Sequence, residues 1–514
     1  MARTENMCSA ILALLVILSM CGLANNGSMF QNPVQVESDS TAYQENVLPI
    51  RYFSENILLS TNDMVYPHHV EVTMAIAEND IMFVGWKNSE THNGEGTRVS
   101  FVKSTDFGTT WSWPYDMPMF GDLSSTRQSD PWMAWHAGAL YYAYLEFSEE
   151  DFTQITVAKS TDYGNSWSPV KASFGRGFAD KETMMVADDG TIYVAYDDVE
   201  EDGVTVELSK STDGGKLFRG AGTIGEKSDG HVGPYLALSS SGDVYCAWSW
   251  FDEFGGNIFL DRSLNDGETF GEERFVNQDG NFSAWTTADG NPAKVTLPVI
   301  RFDQNDRLYV LWADMYEGVH DTFDVFLRYS DDYGRTWSPR LRINKLTEGN
   351  QWNPEFAIDS TGRLHIVYYE DRLIGGYRSF YKAVSFTGPS RDVPEFGEEM
   401  PIASAGTDLS FTRPGEYFCI KLDSNDIPHV VWTDGRKGAL DIYYAHGVPN
   451  YPDHTETNST KTTTSTQTSV TTTATTDGEE LLIVRMARLV AIIGGAAAIV
   501  GAVIVWWNRR TGFG

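Results

Sequence analysis

The chain is predicted to be all-β, a seven-bladed β-propeller over residues 55–448 followed by a C-terminal transmembrane helix, and two internal repeats and the chain ends carry that prediction. The first repeat is a turn. Ser104, Asp106, Gly108 and Trp111 recur in the same spacing as Ser160, Asp162, Gly164 and Trp167, then as Ser211, Asp213, Gly215 and Phe218. Two more copies follow: Ser263, Asn265, Gly267 and Phe270, and Ser330, Asp332, Gly334 and Trp337. Self-similarity of this kind marks a repeat architecture. In each copy the acidic residue is expected to bond amides two residues on, the Gly supplies a positive φ, and the Ser adds a second local bond. The closing aromatic is expected to fold back as the turn's own hydrophobic plug. The second repeat is a strand of alternating β-branched and aromatic residues, ending in turn at Trp86, Tyr144, Tyr196, Trp248, Trp312, Tyr368 and Trp432. Such runs between Gly, Asp and Asn turns are strand and hairpin signals, and no helical period competes with them.

Each unit yields a third strand, near residues 99–103, 155–159, 204–210, 258–261, 324–329, 379–384 and 441–445. A fourth strand follows the turn, as at 273–277 and 341–344. Four strands per unit and seven units describe propeller blades. The seventh unit stops near His446 without its fourth strand, while residues 56–60 form an orphan strand ahead of the first unit. That orphan is expected to pair with the seventh blade, closing the ring and removing a free sheet edge.

The flanking segments follow from composition. Residues 1–24, with Arg3, an apolar run at 11–18 and small residues at 22–24, are predicted to be a signal peptide, and 25–54 an N-terminal extension. Residues 449–480 are a stalk, Thr/Ser-rich and too polar to bury a core. Residues 481–507 form the transmembrane segment, whose uncharged core at 489–507 just spans a hydrocarbon layer of about 30 Å. Trp506 and Trp507 suit the interface, and 508–514, with Arg509 and Arg510, form a short cytoplasmic tail. Arg485 and Arg488 weaken the charge asymmetry, but a cleaved signal places the propeller outside a cell membrane crossed once; a buried hairpin is the alternative for 489–507. Asn281 and Asn458 are N-glycosylation acceptors, as is Asn26 if retained. Cys246 and Cys419 fall in blades that do not touch, so both are expected as buried free thiols. A formal charge of −33 argues against nucleic acid and anionic lipid as partners. It suits an exposed, salty or cation-rich setting.

The five turns resemble the Asp boxes (BNR repeats) of the sialidase-like β-propeller family. There the boxes are structural and lie opposite the functional face, which assigns Asp106, Asp162, Asp213, Asn265 and Asp332 to structure. The resemblance also implies what hydrolysis would need: three arginines clamping a carboxylate, a Tyr–Glu nucleophile and an Asp acid/base. The Arg-Ile-Pro signature expected on the first innermost strand is absent, and Arg413 to Tyr417 offers a faint echo of it. Arg127, Arg372, Arg378, Arg413 and Arg436 belong to the opposite face, but no triad is assignable by motif, and the family's hydrolases have six blades.

Loops that lead into the innermost strands converge on one face, where binding sites sit. Arg127, Asp130, Asp180, Lys181, Glu182, His231, Arg413 and Glu416 are expected to gather at the channel mouth, because each precedes or opens an innermost strand. Such a mixed cluster suits a polar ligand; it would equally serve as ion pairs that hold blades in register. Trp250, Phe254, Trp285, Tyr316 and Trp352 are candidates for an aromatic platform for sugar rings. Asp371 with Arg372 and Asp434 with Arg436 are expected as inter-blade salt bridges. His68 and His69, adjacent in a strand, point to opposite faces and are not expected to hold a metal. No cofactor is expected beyond a structural Ca2+. The function expected is a surface-displayed propeller that binds a glycan or another surface protein; the alternative is an exo-α-sialidase acting on extracellular glycoconjugates. Oligomeric state stays open.

Overall fold

The computed structural model describes residues 53–448 except 61–65, 91–95, 120–126, 149–152, 229, 253–254, 278–296, 316–321, 373–375 and 412–416. The signal peptide, stalk, transmembrane segment, tail and both glycosylation acceptors therefore lie outside the described residues. Seven antiparallel sheets follow one another along the chain. Their innermost strands are His68–Ile76, Arg127–His136, Phe178–Val186, His231–Leu238, Val299–Phe302, Gln351–Ile358 and Cys419–Leu422. The aromatic-ended repeats form the second strands, which are buried on both faces because a blade is packed on either side; Leu364–Glu370 is buried at every position. This is why they read as near-continuous apolar runs.

The orphan strand closes the ring. Ile57 and Leu58 pair with Tyr444 and Tyr443 in the third strand of blade seven. Leu59 N–H donates to Ile442 O at 2.8 Å, Ser54 N–H to His446 O at 2.8 Å, and the Ser60 hydroxyl to Asp441 Oδ1 at 3.1 Å.

Each repeated turn uses the same bonds, though not quite those anticipated. Ser104 Oγ donates to Asp106 Oδ1 (2.8 Å) and accepts from Gly108 N–H (2.9 Å), while Asp106 accepts from the amide four residues on, Thr110, at 2.8 Å. The Asp therefore spans the whole turn rather than its first half. In the second copy the Ser166 hydroxyl and amide, then Ser160, pull the Asp162 carboxyl down to about 2. The closing aromatics are also shared between blades. Trp111 donates to Gly108 O at 3.1 Å but packs on Tyr444 of blade seven, ring centres 5.0 Å apart. Trp167 packs in the same way on Phe101 of blade one, at 5.5 Å. The turn glycines leave room for these contacts: a Cβ on Gly108 would lie 2.2 Å from the Tyr444 hydroxyl.

Blade six departs from the pattern. It has no copy of the turn, its third strand Gly376–Thr387 is twelve residues long, and a tight return at Gly388–Arg391 makes a hairpin extension. Its outer position is split among Val393–Phe396, Met400–Pro401 and Thr407–Asp408, all pairing with that third strand.

The expected inter-blade salt bridges are corrected. Arg372 pairs with Glu370 and, at 3.1 Å, with Glu399, and Arg436 with Asp434 at 2.5 Å, all within their own blades. Each guanidinium lies over an aromatic of its own third strand, Phe380 (4.6 Å) and Tyr443 (4.4 Å), so stacking holds it at home. Only Arg436 also reaches Ser404 of blade six, at 2.8 Å. Cys246 and Cys419 are buried free thiols.

Two outcomes test the closure and the turns. A chain trimmed to begin at residue 62 should expose the third strand of blade seven as an unpaired edge and aggregate, measured by light scattering. Gly108→Ala, where φ is +78° and Tyr444 blocks the new methyl, should lose about 1–3 kcal/mol more in a denaturant melt than Gly242→Ala. At Gly242 φ is +83° and nothing lies within 4 Å, so that variant isolates backbone strain from the inter-blade clash.

Candidate functional site at the channel mouth

Five innermost strands carry the same irregularity at the same height. Their register shifts between Val70 and Thr73, Ser129 and Trp132, Asp180 and Thr183, Val232 and Tyr235, and Trp352 and Glu355. One residue in each bulge has a left-handed backbone: Glu71 (φ 58°), Asp130 (50°), Lys181 (54°), Gly233 (70°) and Asn353 (46°). Bulges re-aim side chains. Four of these five are not glycine, a strain of order 1 kcal/mol each that concentrates at functional sites.

The bulges of blades one to three meet. Lys181 Nζ lies 3.1 Å from Asp130 Oδ2, Asp130 N–H donates to Glu71 Oε2 at 3.3 Å, and Glu71 also binds Lys87. Across the ring, the Tyr417 hydroxyl donates to Asp130 Oδ2 at 3.2 Å. Beneath them Trp132 reaches over the axis, edge-on to Tyr235 of blade four (5.4 Å) and to Tyr417 ahead of blade seven (6.2 Å). The axial cavity that remains, lined by all seven blades, is about 40 Å³. Two of its lining residues, Tyr235 and Glu355, are tied to the half-buried Arg301, which donates to Tyr235 (2.7 Å) and Glu355 (2.9 Å) while Tyr235 donates to Glu355 (3.2 Å).

Electrostatics divides the carboxylates. Burial opposes the charge on Asp130, but Lys181 and Lys87 overcome it and hold this carboxyl well below the usual range. Glu182, next along from Lys181, is 0% exposed, and neither of its oxygens has a hydrogen-bond partner among the described residues. Burial first, then the charges of Asp130 and Asp180, push it well above the carboxylate range. Asp197 accepts from Gly233 N–H at 2.9 Å, yet burial and then Asp180 push it up to about 8. Neighbouring carboxyls are thus pushed in opposite directions.

Of the expected cluster, Asp130, Lys181 and Glu182 come together, and Asp180 stands opposite Asp197 in the register. Arg127 opens its strand above the bulge. His231 turns aside: it is buried with its ring edge-on to Trp248 at 5.6 Å, and burial pulls it down to about 4. Arg413 and Glu416 lie outside the described residues, as do Phe254, Trp285 and Tyr316. The aromatic platform is corrected at Trp352, which is 2% exposed and packs on Tyr369 (5.7 Å) and Tyr377 (5.3 Å), filling the wall between blades. Trp250 is half-buried and donates to Ser228 Oγ at 2.7 Å. Sequence reasoning missed Glu71 and Lys87, and placed Tyr417 on an entry loop without including it in the cluster. Aligning the innermost strands by position would have placed Glu71 level with Asp130 and Lys181. Among the described residues no group of three or more His, Cys, Asp or Glu is placed to hold a metal ion.

No protein-family model and no curated protein matches the chain. Solved structures are similar to it. A protein of unknown function from Dyadobacter fermentans is 15% identical, with a TM-score of 0.45 over 62% of this chain and 95% of that one. The phage phi92 endosialidase is 11% identical, with a TM-score of 0.45 over 80% and 72%. A Trypanosoma rangeli sialidase in complex with sialic acid is 14% identical, with a TM-score of 0.42 over 66% and 55%. At such identities these likenesses concern the fold and carry no argument about activity.

The raised carboxyls give a signed expectation. A group whose folded pKa is raised contributes stability that is full below its unfolded value and is lost as pH climbs through the folded one. For Asp197 that window runs from 3.8 to about 8, with a limiting slope of about 1.4 kcal/mol per pH unit. Glu182 adds to it in the same direction. Asp197→Asn and Glu182→Gln should therefore melt like the parent at pH 4 and at higher temperature than the parent at pH 8.

Proposed function

We propose that this protein is a membrane-anchored, surface-displayed propeller that binds a polar ligand, a glycan in the first place, at the channel mouth. The observation that supports this is the bulge shared by consecutive blades, which links Glu71, Asp130 and Lys181 in one cluster at the expense of backbone strain. Ion pairs that only held blades in register would need no left-handed residues. Lys181, Asn353 and Tyr417 line the axial cavity, which at about 40 Å³ has room for water and not for a sugar, so a glycan would meet this cation, amide and hydroxyl from the mouth. The finer kinship, with Asp-box propellers of the sialidase group, rests on the five repeated turns. Display outside the membrane rests on the leader, stalk and apolar run in the sequence.

A second reading, glycoside hydrolysis, is favoured by one observation, the neutral Glu182 beside the ionised Asp130. Such a pair can supply a proton donor and a stabilising carboxylate. Against it, Arg372 and Arg436 are held in ion pairs within their blades, so neither is available to a substrate-clamping triad.

A glycan array and a panel of fluorogenic glycosides, run on the same preparation, separate the two. Binding without turnover, weakened roughly tenfold or more by Lys181→Ala as expected for a charge-assisted contact, supports the binding reading. Turnover abolished by Glu182→Gln replaces it with hydrolysis. Binding unchanged in Lys181→Ala removes the channel mouth as the site.

A further inference from the structure

A second site lies on the flank of the ring, between blades five and six, and shares no residue with the channel mouth. It exists because blade six has rebuilt its outer edge. The run from Phe396 to Glu399 faces the outermost strand of blade five, Leu341–Arg342, and the segment after it. Between them is a groove of about 1080 Å³, at the upper end of ligand pockets and large enough for an oligosaccharide segment.

The charge of this groove runs against that of the chain. Overall, acidic residues outnumber Lys and Arg 71 to 38. The groove is lined by Arg340, Arg342, Lys345, Arg372 and Lys382 against Asp324, Glu398 and Glu399. Arg340 is engaged by Asp314 at 3.1 Å, and Arg372 by Glu370 and Glu399. Glu399 is further occupied by Tyr368 (2.7 Å) and by the Lys345 amide (2.8 Å). The side chains of Arg342, Lys345 and Lys382 have no hydrogen bond or ion pair among the described residues, and Arg342 and Lys345 are exposed.

Lys382 is the telling one. It is 6% exposed, and its ammonium lies over the ring of Phe396, 4.9 Å from Nζ to centroid. Register identifies its counterpart: Lys382 stands opposite Ile366 in blade six as Arg328 stands opposite Val310 in blade five. Arg328 crosses to the outer edge of blade four and donates to Val276 O at 2.8 Å. Lys382 makes no such bond to blade five. Burial makes its ammonium easier to deprotonate than an ordinary lysine; the charge of Glu399 opposes this, and those of Lys345 and Arg342 add to it. The nearest anion, Glu399, is already shared among Arg372, Tyr368 and the Lys345 amide, and a nearly buried cation with no ion pair of its own is costly unless something supplies one.

We propose that the groove between blades five and six binds an acidic saccharide, whose carboxylate or sulfate groups meet Lys382, Arg342 and Lys345 while a sugar ring lies on Phe396. Phe396 is 43% exposed and Leu346 40%, so flat apolar faces alternate with point charges, which matches a ring bearing acid groups. Free phosphate would use the cations and leave those faces unfilled. An acidic peptide adding itself as a strand would find only the two-residue edge Leu341–Arg342 to pair with.

Titration of the full chain with dextran sulfate, polygalacturonate, uncharged dextran and polyglutamate tests this. At least one of the two acidic polysaccharides should bind, uncharged dextran should not, and affinity should fall with added salt. Lys382→Gln and the exposed pair Arg342→Glu/Lys345→Glu should each weaken binding roughly tenfold or more, the scale of a lost charge-assisted contact. Lys382→Arg should retain binding, and Lys181→Ala at the channel mouth should leave it unchanged. Equal affinity in all groove variants would overturn the site. Polyglutamate binding as tightly as the polysaccharides, with the same sensitivity to the variants, would overturn the saccharide assignment. Should Lys382→Gln fail to fold, the exposed pair decides alone.

Discussion

Ring closure is the constraint on which everything else in this molecule depends. Seven sheets can share one axis only if the last is joined to the first, and that joint is the short strand Ile57–Leu58 laid along the third strand of blade seven. Few backbone bonds hold it, and the contacts around Asn56 reinforce it: its side chain donates to Ile402 O (2.9 Å) and accepts from the Ser404 amide (2.7 Å) and Arg436 (3.0 Å). The closing strand is thereby fastened to blade six as well as to blade seven. Closure also sets the width of the axis, and hence whether Trp132 can span it to touch Tyr235 and Tyr417.

Within that ring, charge is distributed unevenly. Acidic residues outnumber Lys and Arg 71 to 38, yet Lys87 is buried at the channel mouth and Lys382 in the flank groove, as Arg307 and Arg328 are elsewhere in blade five. At the mouth, Lys181 and Lys87 keep Asp130 ionised while Glu182 and Asp197 are kept neutral. The same low-dielectric surroundings thus push neighbouring carboxyls in opposite directions, and the deciding variable is whether an ammonium lies within contact distance. The flank groove repeats the economy with the sign reversed, because there the cations outnumber the acids that could answer them.

The fold was legible because its signals are local and repeated. Period-two alternation fixes a strand, and a Ser, an Asp and a Gly at fixed offsets fix a turn, so blade count and closure followed from spacing alone. Asp130, Lys181 and Glu182 were legible as members of a site because they were expected to precede or open innermost strands, although they lie inside those strands, at the bulges. Glu71 was not, because its place depends on a bulge that shifts register by a residue, and a bulge leaves no mark in a hydrophobic pattern; Tyr417 stood in the Arg413–Tyr417 stretch, but its bond to Asp130 of blade two depends on ring closure. Trp352 was misread for a related reason. An aromatic next to a loop can face the ligand or the neighbouring blade, and only the register with Tyr369 decides. Arg372 and Arg436 were assigned across blades because their recurrence was visible while the aromatics beneath them were not.

The contact between Gly108 and Tyr444 has a consequence for how the chain assembles. Gly164 packs on Phe101, Gly267 on Leu208 and Gly334 on Leu260, each on a blade made earlier. Those turns can seat as the polypeptide emerges, blade upon blade. Gly108 is the exception, since its neighbour lies near the end of the propeller. The first blade must therefore wait, its turn unseated and one flank bare, until the seventh has been synthesised. Loop closure of that span is slow and entropically costly. The interval in which the nascent ring is open is when a misplaced strand could take the seat meant for blade seven.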